Sequence, residues 1–215
     1  MGCFAKGCLT ILILGFLLIA GVVGSGWYVF TKMVNNLTST APSDVRMEQP
    51  SDAQYQNAET LLTRLNNATD ANEETTVEFT SADLNALMAR DEDFKEFRGR
   101  ARVDIADSMM TISLSVPLDF FRWRRTRGRW FNGTARFSFV YSSGQFRVEL
   151  ESAEAGGHRL AGKFLTDTFM SSFNDGLNEG FQEKRGDYAG GENFWRHVKS
   201  ISLSGDKMVV TTQAR

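Results

Sequence analysis

Beyond Cys8 the chain has no cysteine, so everything after its first residues lacks a disulfide, a thiolate metal site and a cysteine nucleophile. Histidine is nearly as scarce. His158 and His197 are the only two, and neither stands in a metal-ligand spacing or beside a nucleophile motif. The patterns GxSxG, HExxH and GxGxxG do not occur. The nearest approach to a phosphate loop, GHRLAGKF, has Phe164 where a magnesium-binding hydroxyl would stand. Asp91, Glu92 and Asp93 are adjacent carboxylates without the spacing of a calcium loop. Together these absences predict a chain that is not an enzyme and holds neither metal nor cofactor. A large excess of positive charge is missing too: 24 Lys and Arg stand against 26 Asp and Glu, which argues against nucleic acid as a partner.

What is present begins with an apolar run. Residues 9–30, LTILILGFLLIAGVVGSGWYVF, carry no charge, and about 22 residues suffice to cross a hydrocarbon core as a helix. Trp27 and Tyr28 suit the headgroup level, and Lys6 and Lys32 bracket the run. The small residues at 24–26 are followed by WYVF, so the run reads as an uncleaved signal anchor. The expected organisation is a tail over 1–8, a transmembrane helix over 9–30, a stalk over 31–50 with Pro42 and Pro50, and a domain over 51–215. That organisation predicts a single-pass protein of the cell membrane with its C-terminal domain outside the cytoplasm.

Within the domain, Tyr55, Ala58, Leu61, Leu62 and Leu65 have helical spacing. Val77 and Phe79 suggest a short strand, and Thr80 with Asp83 forms a capping-box start for a helix through Met88. The period then becomes two. MMTISLSVPL, TARFSFVY and QFRVELES alternate apolar and polar residues, with turns at Ala106–Ser108 and Ser142–Gly144, and KSISLSGDKMVVTTQ forms a closing hairpin. Such hairpins, apolar on one face, predict an antiparallel sheet covered on one side.

The cover is sought in the segment after Gly156-Gly157, where Phe164, Phe169, Phe173, Leu177 and Phe181 recur four or five residues apart. The spacing predicts one long amphipathic helix beginning near His158, with a weak point near Gly176 and Gly180. The expected fold is therefore α+β: an N-terminal transmembrane helix, then a curved antiparallel sheet packed on that helix. Phe164, Phe169, Phe173 and Leu177 would either fill the core or line an apolar groove for acyl chains.

The stretch FRWRRTRGRW has two readings as well. Arg122, Trp123, Arg124, Arg125, Arg127, Arg129 and Trp130 form a surface suited to anionic lipid headgroups, or a strand connection whose arginines pair with Glu149 or Glu151. Sequons stand at Asn36, Asn67 and Asn132.

A short tail, one apolar span, a stalk, FTSADLNALM with Leu84-Asn85, consecutive hairpins, a Gly-Gly break, a long helix and a final hairpin resemble the YpmS-like family of single-span bacterial envelope proteins. More remotely, the order over residues 79–212 is similar to the tubular lipid-binding superfamily. The resemblance implies a lipid or lipid-like ligand and no catalytic residues. The expected function is a membrane-anchored, non-enzymatic module binding lipid at the membrane surface; the alternative is an accessory subunit of an envelope complex, contacting a protein through the sheet's polar face or the arginine stretch.

Overall fold

The computed structural model describes residues 37–45, 49–119, 126–160, 167–184 and 191–215. They form a nine-stranded antiparallel sheet with helices around it. The strands are β1 (Thr38–Ser39), β2 (Thr76–Thr80), β3 (Ala101–Ala106), β4 (Met109–Pro117), β5 (Trp130–Ser142), β6 (Gln145–Ala155), β7 (His158–Arg159), β8 (Val198–Ser204) and β9 (Lys207–Thr212). The helices are α1 (Asp52–Asp70), α2 (Ser81–Arg90), α3 (Asp167–Lys184) and α4 (Gly191–His197), with a 3-10 turn at Glu92–Phe97.

Local chemistry fixes the turns. Asp107-Ser108, Ser143-Gly144 and Gly156-Gly157 each place two successive residues at positive φ, which two-residue hairpins need if their twist is to match that of the strands. The β8–β9 turn instead puts Gly205 first, at φ 60°. Both α1 and α2 start on capping boxes, Ser51 with Gln54 and Thr80 with Asp83.

Strand β5 is the spine. One of its edges pairs with β6 over Gly133–Ser142. The other is shared, by β4 over Trp130–Phe137 and by β8 over Val140–Ser142. The β3–β4 and β8–β9 hairpins therefore meet tip to tip, where Ser108 N donates to Gly205 O at 2.8 Å and Gly205 N donates to Ser108 Oγ at 2.9 Å. The order across this arrangement is β2-β9-β8-β5-β4-β3.

One face of the sheet is buried. Phe131, Ala135, Phe137, Phe139 and Tyr141 of β5 lie beside Phe146 and Val148 of β6 and Ile112 and Leu114 of β4. The cover is divided: Leu62 and Leu65 come from α1, Ala86 to Met88 from α2, Phe94 from the 3-10 turn, Phe181 from α3, and Phe194 and Trp195 from α4. Each helix buries only a narrow stripe, so no single element carries the core.

Two expectations are corrected here. The fold is not a sheet on one long helix but a large nine-stranded sheet with a few shorter helices. Over the described residues the helix spans Asp167–Lys184, and it does not begin at His158, because the Gly156-Gly157 turn returns His158 and Arg159 to pair with Ala155 and Glu154. The single-pass membrane placement, with its signal anchor and external domain, is also corrected. Among the described residues no helix is long and apolar enough to cross a membrane; the longest, α1 and α3, are rich in Asn, Gln, Asp and Glu. The run over 9–30 lies outside the described residues.

Candidate binding face of the sheet

The opposite face of the sheet is polar, and three ladders of cross-strand neighbours run over it. In the central row Arg102 faces Ser113, Ser113 faces Thr134, Thr134 faces Glu154 and Glu154 faces Arg159, crossing β3, β4, β5, β6 and β7. Ser113 Oγ and Thr134 Oγ1 are 3.4 Å apart. On one side Ser115 faces Asn132. On the other, Asp104 faces Thr111, which faces Arg136. Arg102 holds Asp104 through Nε and Nη2, both at 3.0 Å, and Arg136 pairs with Glu151 and, at 3.7 Å, with Asp107.

The segment 37–45 crosses the end of this face and is gripped by its main chain. Thr38 and Ser39 add to β5 opposite Phe131 and Trp130, where β6 does not reach. Arg129 donates to the Thr38 hydroxyl through Nε and to the Thr38 carbonyl through Nη2 at 2.9 Å. Asn132 donates to Ser39 Oγ and to Ala41 O at 2.9 Å, and its Oδ1 accepts from Ser43 N at 3.1 Å and from Ser115 Oγ at 2.8 Å. Ser115 Oγ in turn accepts from Ser43 N at 3.1 Å. The sequon at Asn132 is thus an amide engaged on both atoms.

Beside that segment lies a groove of about 450 Å³, lined by Asp44, Arg102, Asp104, Ser113, Thr134 and Glu154 among others. Its lining brings together the hydroxyls of Ser113 and Thr134, the carboxylates of Asp44, Asp104 and Glu154, and one arginine that is already bound to Asp104. Such a surface accepts hydrogen bonds more than it donates them. A second groove, about 600 Å³, runs along the later half of α1 past Arg64 and Asn67. Its walls are one helix and the turn that follows it, so fewer elements fix its shape.

Titration is perturbed elsewhere. A hydrogen bond from Lys207 to Glu78 raises the Lys207 ammonium above its usual range, one from Arg98 lowers the Glu92 carboxyl, and burial raises the Tyr55 hydroxyl. None of the three lines the groove. Among the described residues no three His, Cys, Asp or Glu side chains come together to hold a metal ion. His158 is exposed on β7, whereas His197 is buried, 2.8 Å from Asn193 O and 3.1 Å from Asn72 Oδ1.

The residues singled out from sequence are dispersed. Phe164 lies outside the described residues. Phe169, Phe173 and Leu177 are half-buried on α3, and the latter two pack against the core. Phe181 is the α3 side chain that fills the interior, edge-on to Phe146 at 5.1 Å and to Trp195 at 4.9 Å. Arg122, Trp123, Arg124 and Arg125 lie outside the described residues. Arg127 is exposed, Arg129 is half-buried on Thr38, and Trp130 is half-buried in β5 opposite Pro117. Glu151 meets Arg136, a strand residue.

Sequence reasoning did not single out Arg102, Ser113, Thr134 or Glu154, and marked Asn132 only as a sequon. The Asp107-Ser108 turn does set Arg102 opposite Ser113. In the hairpin turned at Ser143-Gly144, however, a register shift between Arg136 and Phe137 comes before Thr134 meets Glu154, and neither turn joins β4 to β5, so the rest of the row had no local signal. Comparison with protein-family models, curated proteins and solved structures gave no match to this chain.

Proposed function

We propose that this protein is a non-catalytic binding module, an accessory subunit that engages a protein partner on the uncovered polar face of its sheet. The observation that carries the reading is the preorganised groove at Ser113, Thr134 and Glu154. Three side chains from three strands converge there on a floor that the gripped segment 37–45 borders. Rigid strands hold a recognition surface more accurately than loops do. The groove's excess of acceptors selects a partner surface bearing amide, ammonium or guanidinium donors.

The lipid reading finds less support. An acyl groove would have to open beneath α3, where Phe181, Tyr141, Phe146 and Trp195 are each no more than 2 % exposed and pack ring against ring.

The test is a photo-reactive residue at Thr134 in the full chain, expressed in its own cells, with the same residue at Thr211 on the same face as control. A discrete cross-linked protein from position 134 and none from position 211 is expected. No adduct, or the same adducts from both positions, contradicts the proposal.

A further inference from the structure

β7 covers the outer edge of β6 only at Glu154 and Ala155; at Phe146 and Val148 a helix takes the place of a strand. Asn174 and Asn178 of α3 each bind one β6 residue through both amide atoms: Asn174 binds Val148 at 2.7 and 3.0 Å, and Asn178 binds Phe146 at 2.7 and 2.8 Å. Gln182 Nε2 then donates to Gly144 O at 2.7 Å. Four helical residues rise about 6 Å and two strand residues about 6.6 Å, so the three amides keep step with alternate β6 residues.

The helix that closes the edge is built weakly. Gly176 and Gly180 lie within it, and an added Cβ at either position would meet nothing within 4 Å. Neither glycine is there to admit a neighbour, and each weakens the helix relative to alanine. Phe181, one residue past Gly180, is buried, so the later end of α3 is anchored in the core. The earlier part is held by amides and half-buried side chains.

We infer that the part of α3 before Gly180 is a displaceable guard, and that the β6 edge beneath it pairs with β6 of a second copy of this chain. The backbone groups of Phe146 and Val148 that α3 satisfies point outward. In an antiparallel, two-fold pairing centred on Val148, Phe146 of each copy faces Leu150 of the other on the buried side. On the polar side Arg147 faces Glu149, twice by symmetry. Both residues are exposed, and neither is in an ion pair among the described residues. Centring the pair on Leu150 instead would set Glu149 against Glu151, which like charge disfavours. The inference is independent of the partner groove, which lies on other residues.

Sedimentation velocity of the full chain over a concentration series tests it. Wild type should dimerise, and Asn174→Ala/Asn178→Ala, which loosens the guard, should dimerise at least about tenfold more tightly. Gly176→Ala/Gly180→Ala should weaken the dimer by up to about 30-fold, two increments of about 1 kcal/mol at 1.4 kcal/mol per tenfold. Glu149→Arg should abolish it by facing Arg147 with like charge, and R147E/E149R should restore it. Monomers throughout for both wild type and the loosened variant, or a Glu149→Arg dimer as tight as wild type, overturn the pairing. If the loosened variant does not fold, hydrogen exchange of the Phe146 and Val148 amides decides: Gly176→Ala/Gly180→Ala should slow it by up to about 30-fold, and unchanged exchange overturns the guard.

Discussion

Asn174 stands in for a neighbouring strand at Val148: its Oδ1 accepts from the Val148 amide at 2.7 Å while its Nδ2 donates to the Val148 carbonyl at 3.0 Å. Asn174→Ala leaves both backbone groups without those partners. A cost of about 1 to 3 kcal/mol in denaturant unfolding is expected. Asn174→Leu should not recover it, since added apolar area replaces neither bond. A leucine variant as stable as wild type would show that the amide contributes nothing.

The same device seals the other side of the sheet. Asn85 of α2 binds Val103 of β3 through both amide atoms, at 2.6 and 2.9 Å, and Ser81 one turn earlier accepts from Ile105 N at 2.7 Å. Asn85→Ala should cost about 1 to 3 kcal/mol. Asn85→Asp should do no better near neutral pH despite its shape, because a carboxylate oxygen would then face the Val103 carbonyl. Equal stability of wild type and Asn85→Asp would contradict this.

Burial separates the phenylalanines of α3. Phe181, 1 % exposed, should lose about 3 to 5 kcal/mol on truncation to alanine. Phe173, half-buried, should lose roughly 1 to 2 kcal/mol. Thermal or urea unfolding of the two variants ranks them, and the reverse order would mean that the core lies elsewhere on the helix.

These contrasts show where the sequence was legible. Hairpin turns announce themselves locally, through Asp107-Ser108, Ser143-Gly144 and Gly205 between alternating runs, and Thr80 with Asp83 announces a helix start. Phe173 and Phe181 belong to the same periodic stripe, however, and periodicity alone does not separate a half-buried position from an interior one. Asn85, Asn174 and Asn178 look like ordinary solvent-facing helix residues. Their partners lie 18 to 32 residues away, and no local pattern records a bond of that range. The shared edge of β5 is equally silent, since the meeting of Ser108 with Gly205 spans 97 residues.

Arg129 pins the segment 37–45 by its planar fork on Thr38, and Asn132 pins it at Ala41 and Ser43. Arg129→Lys keeps the charge but not the fork. Limited proteolysis should cut within 37–45 faster in Arg129→Lys and faster again in Asn132→Ala, with the rest of the domain unaffected. Cleavage no faster than in wild type would show that the segment is held by something other than these side chains.

At the centre of this account is a sheet whose strands β3 and β6 are each closed along an outer edge by helix side chains, leaving one polar face open. Residue-resolved hydrogen exchange of the full chain, at a dilution where it is monomeric, measures this directly. The amides of Val103, Ile105, Phe146 and Val148 should be protected although they lie on edge strands. Val103 should lose protection in Asn85→Ala while Phe146 keeps it, and Phe146 should lose it in Asn178→Ala while Val103 keeps it. Fast exchange of all four in the wild-type chain would contradict the account.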